Sequence, residues 1–223
     1  RQMCIRDSPI DKPINNARKI KYLKIKLKNI ILDGFNLDGG RQRLTGNILE
    51  IRREDLTSGK VFLLPCRKEK FKRYLQPTPL IQSGDDKIIK LAAKITKGNQ
   101  DAEKASRMLL GWVYKNLEKK LTMSIPSALE VLDQMAGDCN EHTALFTALS
   151  RSRGIPTRVC VGIVYMKNSF YYHAWPEVFL GQWVAVDPTL NQFPADAAHI
   201  RFVVGDLSDQ IKILKIVSQL KLE

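Results

Sequence analysis

The sequence predicts an α+β fold, in which a short β-rich region precedes a set of helices and a second set of strands. Lysines alternate with apolar residues in the second half of residues 20–28, as in a half-exposed strand. Apolar residues recur at helical spacing over 86–153. Residues 157–188 predict strands again, and the first of these is apolar on both faces, as in the centre of a sheet.

The β-rich region is expected to be a small antiparallel sheet, truncated from a larger sandwich. Further strands are predicted at 47–52 and 60–65, after the turn-rich segment LDGFNLDGG at 32–40. The segment LQPTPLIQSGDD, with its two prolines, marks a boundary at 75–86. We therefore divide the chain into a basic β-rich region at 9–75 and a second domain at 76–223.

Residues 1–8, RQMCIRDS, resemble the translated scar of a sequencing adapter or assembly step and are left out of the fold prediction. If this interpretation is right, the natural N-terminus is missing. Cytoplasmic and periplasmic or extracytoplasmic locations both remain open.

Four helices are predicted between the boundary and the second set of strands. The first two lie at 86–97 and 101–119. The third begins with a capping box of Ser127 and Glu130 and ends at Gly137. The fourth begins with Asp138 and Glu141 as a second capping box and ends near Gly154, a glycine suited to the left-handed conformation.

Strands are predicted at 157–166, 169–180 and 182–188, and the last two are joined at Gly181. Apolar residues in 208–220 recur at helical spacing, although Ile213 and Ile216 weaken that pattern.

The charge of the chain is concentrated near its start. The net charge is +13, and residues 1–75 have 19 lysines and arginines against 8 acidic residues, or +11. This imbalance suggests attraction to an anionic surface or polymer, although scattered lysines on a solvated sheet face would give the same count. The sequence has no aromatic and basic pattern of a single-strand binder, so no specific nucleic acid is predicted. It also has no apolar run long enough to cross a bilayer.

The cysteines favour neither a disulfide framework nor a zinc site. The chain has Cys4, Cys66, Cys139 and Cys160, and three remain if Cys4 belongs to the scar. None of them forms a CxxC pair.

Cys139, in the stretch GDCNEHT, could be a buried apolar residue, half of a disulfide, a metal ligand or a nucleophile. It lies in the first turn of the fourth predicted helix, where the positive end of the helix dipole favours a thiolate. Asp138 and Glu141 oppose that effect, so an activated thiol would need a base.

His173 is the favoured base, and Asp187 is the acid that would orient it. A two-residue turn at 181–182 would pair residue 180 with 183 and place His173 and Asp187 on opposite faces. If residue 179 instead pairs with 183 across a three-residue loop, residue 187 faces 175, and His173 and Asp187 become diagonal neighbours on one face. A carboxylate in this position would fix the imidazole tautomer and direct its other nitrogen to Cys139. The order Cys, His, Asp is the arrangement that a thiol-dependent acyl transferase needs.

The other two histidines are weaker candidates. His142 lies three residues along the helix from Cys139 and is an alternative partner, but an orienting base usually comes from another element. His199 is assigned no chemistry.

These motifs resemble the transglutaminase-like domain family of bacterial type, relatives of papain-like cysteine proteases, over roughly residues 80–205. The resemblance lies in GDC, the turn G-I-P-x-R, H-A-W-x-E and W-x-x-x-D-P-T. It implies a core in which the cysteine helix packs on an antiparallel sheet, with Cys139 as nucleophile, His173 as base and Asp187 as orienting acid. The eukaryotic crosslinking members bind calcium, but no acidic loop of suitable spacing occurs here, so we predict no metal and no cofactor.

We therefore predict a cysteine-dependent acyl-transfer enzyme with a protein or peptide substrate. Hydrolysis of a thioester intermediate would make it a peptidase or amidase, which we favour for a bacterial-type member. Attack by an amine would make it a crosslinking transglutaminase, and a non-catalytic binding module on the same fold is a further alternative. The Cys139 amide is the first expected oxyanion donor, and Gln134 is a candidate for the second.

Overall fold

The computed structural model describes residues 10, 13–57, 62–121, 126–205, 207, 213 and 219–223. Their helices and strands confirm the predicted α+β class. The helices are α1 Asp86–Thr96, α2 Ala102–Asn116, α3 Ala128–Gln134 and α4 Cys139–Ser152. The strands are β1 Tyr22–Lys28, β2 Gln42–Thr45, β3 Ile48–Arg52, β4 Glu118–Lys119, β5 Ala136–Gly137, β6 Thr157–Met166, β7 Ser169–Phe179, β8 Trp183–Ala185, β9 His199–Gly205 and β10 Lys221–Leu222.

The three N-terminal strands and β10, from the other end of the chain, form an antiparallel sheet in the order β10-β1-β3-β2. The lysine alternation of β1 has the predicted consequence, because Ile25 and Leu27 are buried while Lys24 and Lys26 are exposed. Ile25 pairs with Leu49 of β3, which is also buried. Strand β2 was not predicted from the sequence.

The prediction of a strand at 60–65 is wrong over its described part, 62–65. Here Leu63 forms only an isolated bridge with Asp101. Pro65 has no N–H to donate to a strand partner, and the next amide, that of Cys66, donates to the Gly154 carbonyl in the turn after α4.

Both predicted capping boxes are present. At α3 the Ser127 side chain accepts from the Glu130 amide and Glu130 accepts from the Ser127 amide. Asp138 and Glu141 form the second box at the start of α4. Helix α3 ends earlier than predicted, with Met135 in the left-handed conformation.

Helix α4 is the central helix of its part of the chain. Every residue from 139 to 151 is buried, and the helix packs against α1, α2 and α3. It ends as predicted at Gly154, whose φ of 74° lies in the left-handed region.

The second antiparallel region has the strand order β8-β7-β6-β9. Strand β6 is central and buried on both faces, as its composition predicts. In the β7–β8 hairpin Phe179 pairs with Trp183 and Glu177 with Ala185, so of the two connections that the sequence allowed, the three-residue loop forms. Strand β9 was not predicted, and the helical prediction at 208–220 falls largely outside the described residues.

By their internal contacts the residues divide into two compact units. The first consists of 1–55, 160–174 and 195–223, and the second of 56–159 and 175–194. Strands β6 and β7 cross this division, because it falls at residues 159/160 and 174/175. The domain boundary predicted at residue 76 stays a prediction.

Candidate active site

Cys139 is the first residue of α4, at the amino end of a buried helix. Its exposed fraction is 8%. Asp138 caps the helix by accepting from the Asn140 amide at 2.9 Å, and Glu141 accepts from the Asp138 amide at 2.9 Å. Among the described residues no disulfide forms, so Cys139 is a thiol at the positive end of a helix dipole.

Asp138 is not the permanent anion that the sequence alone suggested. Burial, followed by its hydrogen bond to the Glu141 carboxylate, raises the pKa of Asp138 to about 7. Near neutral pH a large fraction of Asp138 is therefore uncharged. In that state it opposes a thiolate at Cys139 less than an ionised carboxylate would.

His142 lies one turn along α4 and is completely buried. Its Nδ1 is 2.7 Å from the Asp138 carbonyl oxygen, so Nδ1 carries the proton and donates. The Nε2 atom has no hydrogen-bond partner in the described structure. Burial lowers the pKa of His142 below its ordinary value, and the Asp138 carbonyl and the Asp187 charge only partly oppose that effect. His142 is therefore neutral at neutral pH.

Asp187 is fully buried just after β8 and is held by its own turn. Its Oδ1 accepts from the amides of Thr189 at 2.7 Å and Leu190 at 2.9 Å. Its backbone N–H and C=O both bond to Gln192. This turn fixes one carboxylate oxygen and so sets the direction of the other.

The register of β7 and β8 brings Asp187 opposite Trp175. Phe179 pairs with Trp183, and the Val186 amide donates to the Pro176 carbonyl at 3.0 Å. If this register is continued one residue beyond Val186, residue 187 lies opposite residue 175. His173 lies two positions along β7 from Trp175, with its side chain on the same face.

Two of the resemblance motifs meet in one ion pair. Arg158, from G-I-P-x-R, donates from Nε to Glu177, from H-A-W-x-E, at 2.7 Å. Glu177 is buried, and the Arg158 guanidinium lies 4.2 Å above the Trp183 ring. The pair ties β6 to β7 and stacks on β8, so these motif residues fix the hairpin that carries His173.

His173 is buried on β7 in the first unit, next to a second histidine. The rings of His173 and His199 have centroids 5.8 Å apart in an edge arrangement. His199 Nδ1 donates to Asp196 Oδ1 at 3.0 Å, and the same oxygen accepts from the Ala198 amide. His199, which the sequence analysis assigned no chemistry, therefore belongs to a buried Asp–His pair beside the candidate base. The spacing D-x-x-H was the only signal of it.

The Asp196–His199 pair is held by arginines from the N-terminal region. Arg18 forms an ion pair with Asp196 at 3.0 Å, and Arg41 donates to the Asp196 carbonyl at 2.6 Å. The prediction that the protein binds no metal stays a prediction.

Gln134, the candidate second oxyanion donor, is an exposed residue at the end of α3. Its role stays a prediction.

The comparisons with known proteins agree with the resemblance seen in the sequence. Residues 89–188 match the model of the Transglutaminase-like superfamily, which confirms the resemblance seen in the sequence over this segment. The segment contains Cys139, His173 and Asp187.

A solved structure with a TM-score above 0.5 supports the same fold. The chain is similar to a "Putative Cysteine Protease" from Cytophaga hutchinsonii, with a TM-score of 0.59, 19% identity, and coverage of 92% of this chain and 83% of that one. It is also similar to the periplasmic domain of TgpA from Pseudomonas aeruginosa, with a TM-score of 0.46, 18% identity, and coverage of 78% and 74%.

Among curated proteins the chain is 28% identical over 161 residues to the uncharacterized protein ML0607 of Mycobacterium leprae (strain TN). The match covers 67% of this chain and 57% of that protein. The chain thus spans little more than half of this relative's length.

Among the described residues, no helix has both the length and the apolar character needed to cross a membrane.

Proposed function

We propose that the protein is a cysteine-dependent acyl-transfer enzyme that hydrolyses amide bonds, with Cys139 as nucleophile, His173 as base and Asp187 as orienting acid. The observation that carries the proposal is the β7–β8 register. It sets Asp187 opposite Trp175, which is two positions along β7 from His173. The placement of Cys139 at the amino end of α4 supports it further.

The reaction begins when the imidazole of His173 takes the thiol proton and the thiolate attacks the carbonyl carbon of the amide. The resulting oxyanion is stabilised by the Cys139 backbone N–H at the helix start and by a second donor. The amine leaves with the proton from the imidazolium, and a thioester remains. His173 then deprotonates a water molecule that attacks the thioester, which releases the carboxylic acid and regenerates the thiol.

The proposal is tested by the rate at which iodoacetamide alkylates Cys139 between pH 4 and 9, with the labelled peptide identified by mass spectrometry. We expect fast labelling well below the ordinary thiol pKa of about 8.5. In His173→Ala the profile should return to that of an ordinary thiol. His142→Gln is the matched control, because it removes the imidazole that lies one turn from Cys139 on the same helix and should leave the profile shifted.

Slow labelling in the wild type, unchanged in His173→Ala, would exclude the triad and favour a non-catalytic binding module. If fast labelling at low pH were lost in His142→Gln but kept in His173→Ala, the base would be His142 instead.

Hydrolysis and transamidation are then separated by their products. Casein is incubated with the enzyme in the presence of monodansylcadaverine. We expect new peptide ends without incorporated amine, and fluorescent casein of unchanged length would identify a transglutaminase.

A further inference from the structure

Helices α1 and α2 leave a groove of about 590 Å³ on the surface of the second unit. This volume lies within the roughly 300–1,000 Å³ that is typical of ligand sites. The groove does not include Cys139 or Asp187, so an occupant would not be the amide held at the nucleophile.

The floor of the groove is apolar. Leu91 and Ile95 contribute from α1 and Met108 and Trp112 from α2, and all four are half-buried. Gly111 lies between the two α2 residues, and a Cβ atom added to it would meet no atom within 4 Å. The missing side chain at Gly111 is therefore one reason that the groove is open.

The rim of the groove is cationic. Lys94, Lys97 and Lys115 are exposed around it and have no ion pair among the described residues. Arg107 also lines it, but its charge is shared with Glu103 at 2.8 Å.

The acidic residues of the same two helices do not neutralise the lysines of the rim. Asp86 forms an ion pair with Lys90, and Asp101 caps α2 and pairs with Lys104. The groove thus combines an apolar floor with a net positive rim.

We propose that this groove binds an acidic peptide segment whose apolar side chains lie on the floor and whose carboxylates face the lysines. The charge of the rim selects an anionic partner. The concave shape favours an inserted chain over a membrane, because a peptide can place its apolar side chains into a hydrophobic groove. The site goes beyond the proposed amide hydrolysis and would act in recruiting a partner or the remote part of a substrate.

The test is carried out in a Cys139→Ala background, so that its result does not depend on catalysis. Binding is followed by fluorescence polarisation of a labelled peptide, Glu-Leu-Glu-Phe-Leu-Glu, and of its neutral counterpart, Gln-Leu-Gln-Phe-Leu-Gln. We expect the acidic peptide to bind more tightly, and its affinity to fall as salt is added.

Two variants remove the two components of the site. Gly111→Leu fills the groove and should abolish binding, whereas Gly111→Ala should retain it. Lys94→Gln/Lys97→Gln should weaken binding by up to roughly tenfold and reduce its salt dependence. Lys68→Gln/Lys70→Gln removes the same charge from exposed positions outside the groove and should have no effect.

Circular dichroism melting of each variant checks that it is folded. The proposal is overturned if neither peptide binds, if both bind equally, or if binding persists in a folded Gly111→Leu variant. Sedimentation of the protein with phosphatidylglycerol vesicles, without any peptide binding, would also overturn it and would identify a membrane surface as the occupant.

Discussion

Asp138 shows how one partly buried carboxyl group can make the stability of the folded protein depend on pH. Its pKa is raised from an ordinary value near 3.8 to about 7, so the folded protein holds this proton more tightly than the unfolded chain. The resulting stabilisation is fully present below pH 4 and is lost as the pH rises through 7.

We therefore expect Asp138→Asn to remove this loss. The free energy of unfolding of the variant, minus that of the wild type, should rise between pH 4 and 7 and level off above pH 7. The slope cannot exceed the roughly 1.4 kcal/mol per pH unit that corresponds to a difference of one bound proton. Urea denaturation at a series of pH values measures it.

Glu130, in the capping box of α3, is the matched control. Its hydrogen bonds with Ser127 lower its pKa, so it stabilises the fold above its ordinary pKa, and this stabilisation is lost in acid. For Glu130→Gln the difference from the wild type should therefore be flat between pH 5 and 7. A flat difference for Asp138→Asn in the same range would contradict the raised pKa.

At the scale of single elements, the start of α4 depends on the absence of a side chain at Gly137. A Cβ atom added there would lie 2.2 Å from the Glu141 Cβ, which no real structure tolerates. Glu141 is the capping-box residue that accepts from the Asp138 amide. A side chain at 137 would therefore displace the cap beside Cys139.

We predict that Gly137→Ala lowers the free energy of unfolding by about 1–3 kcal/mol, the range for overpacking. It should also slow alkylation of Cys139. Gly111→Ala makes the same chemical change in the middle of α2, where nothing lies within 4 Å, and should be neutral or stabilising by up to about 1 kcal/mol. Equal effects of the two variants on thermal unfolding would show that the contact at Gly137 is relieved without loss of the cap.

The elements that could be predicted from the sequence are those fixed by short-range signals. The capping boxes of α3 and α4 lie within four residues. The β7–β8 register was narrowed to two alternatives, because it depends on the length of one loop. The raised pKa of Asp138 could not be predicted from the sequence, because it depends on how the folded chain packs around the carboxyl group.

Strand β9 was not predicted, because it is stabilised by residues that are distant in the sequence. It contains a buried Arg201, whose side chain donates to the carbonyls of Asn36 at 3.1 Å and Gly39 at 3.0 Å. Its backbone N–H donates to Gln42 Oε1, and its carbonyl accepts from the same side chain. A buried arginine is unfavourable unless such partners exist, and here they lie about 160 residues away in the chain.

At the scale of the whole molecule, these long-range bonds make the N-terminal region and the segment after residue 194 one folded unit. Arg41 directly precedes β2, and its side chain is completely buried. It donates to the carbonyls of Ala195 at 3.0 Å and Asp196 at 2.6 Å, and its guanidinium is 3.8 Å from the buried Glu54 carboxylate. The basic character of the region is thus partly structural.

Replacement of Arg41 by methionine should therefore destabilise the protein strongly. Methionine keeps much of the apolar volume but removes the donors to two carbonyls and leaves Glu54 without this buried counter-charge. Loss of one partner of a buried ion pair typically costs about 3–5 kcal/mol, which urea denaturation can measure. Arg43→Met, two residues away at an exposed position of β2, removes the same charge and should change the free energy of unfolding by no more than about 0.5 kcal/mol. If the two variants proved equally mild, the N-terminal strands would be only loosely attached to residues 195–205. The buried Asp196–His199 pair beside His173 would then need another source of rigidity.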